Sequence, residues 1–492
     1  MKLHPAPHLF FLLLIVAVFA GCTSEPEKPY NVVFILIDDM GWTDTAAFGS
    51  PFYETPHLDR LTTESMRFTN GYAACPVCSP TRASILTGKY PAKIRQTDWI
   101  PGRQDRPDQL LKQVDDFNYM GLEHATLANI LKESGYATAH IGKWHLGAGD
   151  EFLPENRGFD VNIAGNQYGS PPDYFYPYSR RLWRDTSQVY QLTGLVEDGE
   201  EGEYLTDRLA EEAAEYIASK KDEPFFLHFS QYAVHTPLQS RPDLQAKYEE
   251  KRTPLPDSAD FAYEGKRPVR IVQNHAIYAG MVESMDASVG RIMQALKENG
   301  IDDRTIVIFF SDNGGLSTSE GWPTSNLPLR TGKGWLYEGG IRVPMLIKWP
   351  GVTDVNQICD TPVSSVDFVP TILDMVGLPN ETPADVDGVS LTSLLEESGD
   401  PARDELYWHY PHYSNQGGKP GGAIREGNLK LILNYEDDSV ELYNLSEDVG
   451  EQNNLADEMP EKAVELKNKL VVWLATVDAQ MPERNPDYEA GS

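Results

Sequence analysis

The stretch Ala74-Cys75-Pro76-Val77-Cys78-Ser79-Pro80-Thr81-Arg82 puts a thiol just before a helix start and a guanidinium one turn into it. Ser79 is the predicted N-cap and Pro80 the first helical residue, where a missing N–H costs nothing. Gly88 is spaced to end the helix. A side chain at Cys78 then lies at the positive end of a helix dipole, a place that binds an anion or lowers a nucleophile's pKa. Asp38-Asp39 and Asp312-Asn313 offer oxygen ligands for a hard cation, or else form solvated turns. Lys143 and His145, two apart, point to one side if they follow a strand. Standing alone they read as a surface lysine and a packed histidine. His235, in Val234-His235-Thr236-Pro237, is a candidate acid or base. Lys333 sits in the Gly-rich Gly332-Lys333-Gly334. Cys75 and Cys78 also form a C-x-x-C, which suits a redox pair or half a zinc site. No second pair completes the zinc site.

These groups need a scaffold that brings them together. Residues 31–37 are a continuous apolar run, the signature of a buried parallel strand, and 136–142, 224–230 and 305–310 read as further strands, the last of them also buried. Each is followed by one of the candidate groups. Ligands bind beyond the carboxyl ends of such strands, so four strand ends should converge on one site. Residues 343–349 read as another strand. Helices are predicted over 55–67, 126–134, 203–220, 275–300 and 366–376. The stripe of Met281 and Met285 reads as core. Residues 96–119 read as a surface loop and 243–270 as a charged insertion. Residues 158–185 are rich in aromatics, Pro and Gly, and either stack on sugar or simply pack. After about 395 the pattern changes to antiparallel strands at 405–413, 422–434 and 439–444 and a helix at 460–474. The expected fold is α/β: a large mixed, mostly parallel sheet sandwiched by helices, with a smaller C-terminal α+β subdomain holding a short antiparallel sheet and a helix.

The 492 residues include 74 Asp and Glu against 42 Lys and Arg, a net charge of −32. No basic surplus exists to offset phosphates, which argues against a nucleic-acid partner. An anionic substrate needs a local basic pocket inside this acidic shell. At the N-terminus Lys2 precedes an apolar run from Leu9 to Ala20 and then Gly21-Cys22. The run is short for a membrane span and reads as a secretory h-region. Phe19-Ala20-Gly21-Cys22 resembles a bacterial lipobox with Cys22 lipidated, and residues 23–29 form a polar tether. The chain is expected to be exported to a bacterial periplasm or cell surface, meeting the membrane only through a lipid anchor.

Together the motifs resemble those of the type I, arylsulfatase A-like sulfatases of the alkaline-phosphatase superfamily. Cys78-Ser79-Pro80-Thr81-Arg82 matches the C-x-P-x-R signal, whose cysteine a maturation enzyme oxidises to Cα-formylglycine. Gly142-Lys143-Trp144-His145-Leu146-Gly147 matches the second signature. Val77 stands where Cys75 would need a proline, so the resemblance selects Cys78 and demotes the redox pair. It implies that Asp38, Asp39, Asp312 and Asn313, with an oxygen of modified residue 78, hold Ca²⁺ or Mg²⁺. It implies that Arg82 and Lys143 stabilise the formylglycine hydrate and that His145 orients it. Lys333 and His235 would hold the sulfate, with His235 the favoured donor to the leaving alcohol and Lys333 its competitor. One hydroxyl of the hydrate attacks sulfur, and the second then expels sulfate. The implied substrate is a sulfated glycan of galactose or N-acetylgalactosamine type. Loop placement makes Arg95, Asp98, Trp99, Asn166, Tyr168 and His412 candidate sugar contacts. The implied organisation is a signal and lipobox at 1–22, a tether at 23–29, a catalytic domain at 30–395, a C-terminal subdomain at 396–480 and a tail at 481–492. Two alternatives stay open: a formylglycine-dependent phosphonate or phosphodiester hydrolase, and a non-catalytic glycan-binding lipoprotein.

Overall fold

The computed structural model describes Met1 and residues 28–181, 187–195, 198–252, 260–353 and 355–489. The signal segment, Cys22 and most of the tether lie outside the described residues. Among the described residues, no helix is long and apolar enough to cross a membrane.

An eight-stranded sheet forms the centre. Its order is Ile358–Cys359, Met66–Phe68, Met345–Lys348, Thr305–Ser311, Asn31–Ile37, Phe225–Ser230, Ala137–Gly142 and Val161–Ile163. Only Met345–Lys348 runs antiparallel to its neighbours. The continuous apolar strand Asn31–Ile37 has both faces covered, as parallel sheets require. Val33, Ile35 and Ile37 pack under the helices Leu205–Lys220 and Ala276–Glu298. Val32, Phe34 and Leu36 face the helices Cys78–Thr87, Leu127–Glu133 and Phe368–Met375. The methionine stripe lies in the first of these layers as core.

Several boundaries differ from the sequence reading. The helix expected over 55–67 ends at Thr63, and Met66–Phe68 turns into the sheet. The charged insertion holds a helix, Pro242–Lys251, and a hairpin, Phe261–Glu264 with Arg267–Arg270. The single strand expected over 422–434 is two strands, Gly421–Glu426 and Leu429–Asn434. The turn between them carries Gly427 at φ 57°, a conformation that glycine adopts without strain.

The C-terminal part is a four-stranded antiparallel sheet, Glu405–Tyr410, Gly421–Glu426, Leu429–Asn434 and Val440–Asn444. Helix Pro460–Thr476 covers one face through Leu466, Leu470 and Leu474. The other face sets Trp408, Tyr410 and Ala423 against Tyr72, Cys75 and Val77. The Trp408 indole donates to the Ala73 carbonyl at 2.8 Å. Lys430 is wholly buried and donates to Glu338 and Glu451, both at 2.9 Å. That ammonium joins the C-terminal sheet to the segment that follows Lys333. Lys430→Met leaves two buried carboxylates without their shared cation. It is expected to destabilise the protein by about 3–5 kcal/mol, read as a lower urea midpoint in tryptophan fluorescence.

Candidate active site

The four predicted strand ends do converge. Asn31–Ile37 lies in register beside Thr305–Ser311 on one side and Phe225–Ser230 on the other. The residues just past these strands therefore meet on one edge. The Asp39 amide donates to the Asp312 carboxylate at 3.1 Å, and the Asp38 amide to the Ala233 carbonyl at 3.2 Å. Lys143 leaves its strand across Gly142, whose φ is 108°. A Cβ at Gly142 would lie 1.8 Å from the Ser230 carbonyl oxygen, so the close approach needs glycine. Asp39 and His145 hold left-handed backbones, with φ of 60° and 61°. Such strain costs about 1–3 kcal/mol each and gathers at functional sites.

Three cations meet three buried carboxylates. Lys143 Nζ is 2.8 and 2.7 Å from the two Asp38 oxygens. Lys333 Nζ is 2.6 Å from Asp39 Oδ1 and 2.8 Å from Oδ2. Arg82, only 2% exposed, holds Asp312 Oδ2 through Nε at 2.8 Å and a second guanidinium nitrogen at 2.7 Å. Its remaining reach goes to the Lys143 carbonyl at 2.8 Å and Ser230 Oγ at 2.7 Å. Burial pushes the Asp38 carboxyl up, with Lys143 opposing and the nearby Asp312 and Asp39 charges adding to the rise. Asp39 is held below the usual carboxylate range because Lys333 and His235 outweigh its burial.

The helix that carries Cys78 starts two residues earlier than the sequence suggests. It spans Cys78–Thr87, with Val77 as the capping residue and Gly88 at its end. Ser79 is not its cap. The Ser79 hydroxyl accepts from the Ile100 amide at 3.1 Å and lies 3.1 Å from His145 Nδ1. Cys78 sits at the first helical position, 3% exposed, with Sγ 3.4 Å from His145 Nδ1. Burial pushes its thiol up, and the Lys143 and Lys333 charges only partly offset that. The expected lowering by the helix dipole therefore does not decide the protonation state of this thiol. His145 Nε2 donates to the Ile100 carbonyl at 2.6 Å. The neutral ring thus presents a bare Nδ1 to residue 78, and burial next to Lys143 keeps the ring neutral. His235 Nδ1 donates to the Thr236 carbonyl at 2.8 Å, leaving Nε2 3.6 Å from Asp39. Burial lowers its pKa to about 3, against the pull of Asp39.

The donor set fits a hard divalent cation. Asp38, Asp39 and His235 place ligand atoms within 4.8 Å of one another. Asn313 donates to Asp39 at 2.8 Å, while its own Oδ1 is buried without a hydrogen-bond partner. An orphaned oxygen among crowded carboxylates is a feature that an oxygen-seeking cation satisfies.

A cavity of about 420 Å³ opens above Cys78, His145, His235 and Lys333. Of the candidate sugar contacts, Trp99 and Tyr168 line it. Arg95 does not, because it turns outward to Asp478 at 2.9 Å. Asp98 and His412 line a separate polar cavity of about 200 Å³ behind Trp99. Asp98 accepts from the Trp99 amide and Tyr410, and His412 is held between Thr97 and Gln113. Asn166 supports the site through its backbone, its carbonyl accepting from the His145 amide at 3.0 Å. Sequence reasoning missed Arg180, Tyr190, Glu320 and Gln416, which also line the cavity. No local pattern marks them. Ser230, which ends a recognisable strand, was the one missed residue with a signal.

Comparison with known proteins matches the family described as Sulfatase to residues 30–378, and the N-sulphoglucosamine sulphohydrolase C-terminal family to residues 331–479. A sulfatase of Formosa agariphila is 32% identical, covering 95% of this chain and 93% of its own. The N-acetylgalactosamine-6-sulfatase of Canis lupus familiaris is 32% identical over 78% of this chain and 69% of its own. Among solved structures, Ps i-CgsB in complex with k-i-k-neocarrahexaose is similar with a TM-score of 0.74 and 26% identity, covering 92% of this chain and 94% of that one. A family match across well over half of the residues, joined to this convergence of strand ends, makes the chain a member of the sulfatase family and an enzyme of that class.

Proposed function

We propose that this sulfatase removes sulfate from a sulfated carbohydrate, using residue 78 after its oxidation from cysteine to formylglycine. The observation that carries the reading is the environment of Cys78: a cavity with aromatic walls above, His145, His235 and Lys333 around it, and an oxygen-rich cation site beside it. The likeness to N-acetylgalactosamine-6-sulfatases and to a protein bound to neocarrahexaose supports a sugar substrate. The N-terminal run and Cys22 support export with a lipid anchor.

Asp38, Asp39, Asp312 and Asn313 would hold Ca²⁺ or Mg²⁺. A hydrated aldehyde at 78 supplies one hydroxyl for attack and a second for release, and a bound cation supplies positive charge against the sulfuryl oxygens. The chain's own groups do the rest. Three carboxylates and three cations cancel, which suits a dication and an anionic ester together. Lys333 and Lys143 can swing from carboxylate to sulfuryl oxygen as charge builds there. His145 Nδ1 carries no proton, because Nε2 holds the ring's proton on Ile100, so it can take one from residue 78, 3.4 Å away, in place of its contact with Ser79. His235 lines the cavity with Nδ1 committed to Thr236; once an anionic ester beside it favours protonation of Nε2, that nitrogen can deliver the proton to the departing oxygen. Glu320 and Gln416, hydrogen-bonded at 2.6 Å, offer a paired acceptor and donor to sugar hydroxyls.

A panel of defined sulfated saccharides, assayed for sulfate release by enzyme co-expressed with a maturation system, tests the reading. Cys78→Ala should abolish turnover, and Cys78→Ser should leave little because its ester has no second hydroxyl to expel sulfate. Near-normal activity in Cys78→Ala would sink the proposal. Chelation should remove activity, and Ca²⁺ or Mg²⁺ should restore it. His235→Ala should cost about 10²–10⁴-fold in kcat on sugar sulfates. Aryl sulfates, whose leaving groups need less protonation, should lose far less. Equal losses on both would assign His235 to binding instead.

A further inference from the structure

The mouth of the cavity carries a cation without a partner. Arg180 lies on the short strand Ser179–Arg181, which pairs antiparallel with Val189–Gln191. In that register Arg180 is directly opposite Tyr190, so the two side chains leave the hairpin on the same face. Tyr190 is buried; its hydroxyl donates to the Ser170 carbonyl at 2.9 Å, and its ring centroid is 4.0 Å from that of Tyr168. Both tyrosines and Arg180 line the cavity that ends at Cys78. Arg180 is exposed, and among the described residues it makes no hydrogen bond or ion pair.

In a chain with 74 acidic and 42 basic residues, a free arginine at this position stands out. Arg208, Arg241, Arg330 and Arg403 each sit on a carboxylate. The carboxylate on the same cavity wall set, Glu320, is taken by the Gln416 amide, and Lys333 at the cavity floor is held by Asp39. The guanidinium of Arg180 is thus left for something that enters from outside. Tyr168, Tyr190 and Trp99 give the cavity shared by Arg180 and residue 78 an aromatic lining, which suits the apolar face of a sugar ring.

Resting on the carbohydrate reading above, we propose that Arg180 binds a second anionic substituent of the substrate, a sulfate ester or a carboxylate carried beside the sulfate that is cleaved. A guanidinium fork takes either group through two parallel hydrogen bonds. The preferred substrate class is then a polyanionic oligosaccharide. A monosulfated sugar leaves Arg180 unused, and Arg180 acts as a specificity-determining residue that has no part in the chemistry at sulfur.

The test uses the mature enzyme and its Arg180→Ala and Arg180→Lys variants. The substrates are an aryl sulfate, a monosulfated disaccharide, the same disaccharide with a second sulfate, and the same disaccharide with a uronic carboxylate. The unsubstituted enzyme should prefer at least one dianionic sugar over the monosulfated one. Arg180→Ala should lower that preference about tenfold, through KM more than kcat, and Arg180→Lys should recover part of it. The dianionic sugar that responds identifies the group as sulfate or carboxylate. A preference that survives in Arg180→Ala, or an equal loss on every substrate, overturns the assignment. Hydrolysis of the aryl sulfate with none of the sugars cleaved overturns the carbohydrate reading itself, and the role of Arg180 with it.

Discussion

Three carboxylates buried side by side are unstable unless each meets a cation, and this constraint governs the whole edge of the sheet where the strand ends converge. Losing water costs each charge several kcal/mol, and mutual repulsion adds to that. Here Asp38, Asp39 and Asp312 are met by Lys143, Lys333 and Arg82. The three cations arrive from different parts of the fold: a strand end, a glycine-rich loop and a helix. The full set of ion pairs is complete only when the sheet, the helix and the loop are all in place. Arg82 is the centre of this arrangement, because its one guanidinium also ties the Lys143 carbonyl and Ser230. The helix that carries residue 78 is thereby fixed to two neighbouring strands at once.

The C-terminal unit belongs to the same arrangement. The Gly334 amide donates to the Pro76 carbonyl at 2.8 Å, so the Lys333 loop is tied to the segment leading into Cys78. On its other side, a Cβ at Gly418 would meet the Gly334 carbonyl oxygen at 1.8 Å. The loop is clamped between the two parts of the chain, and Asn415 and Gln416 reach from the C-terminal part into the cavity. Further out, Lys430 holds Glu338 in place behind it. The smaller unit therefore serves as a wall of the site as well as a source of stability.

Much of this was legible in the sequence, for identifiable reasons. Residues 31–37 read as a buried parallel strand because an uninterrupted apolar run is stable only with both faces covered, and both are. The carboxylates were found because they follow such runs directly. Ser79 was misread because the N-cap rule weighs side-chain type alone; its hydroxyl is instead engaged by Ile100 and His145, partners from distant segments. The same reason hid the cavity walls. Glu320 and Gln416 meet only after the chain has folded, and Arg95 lies on a loop near the site while pointing away from it. Convergence at strand ends follows from local pattern, whereas loop orientation depends on packing that no local pattern encodes.

The depth of Cys78 also decides what can reach it. The residue is 3% exposed, closed in by the first turn of its own helix, by His145 and by the cavity walls. A macromolecule that meets the folded chain finds this stretch of backbone only as a buried helix. A group small enough to enter the cavity can still touch the side chain. Depth therefore acts as a size filter: the fold admits the end of a ligand to residue 78 and keeps bulkier partners at the rim.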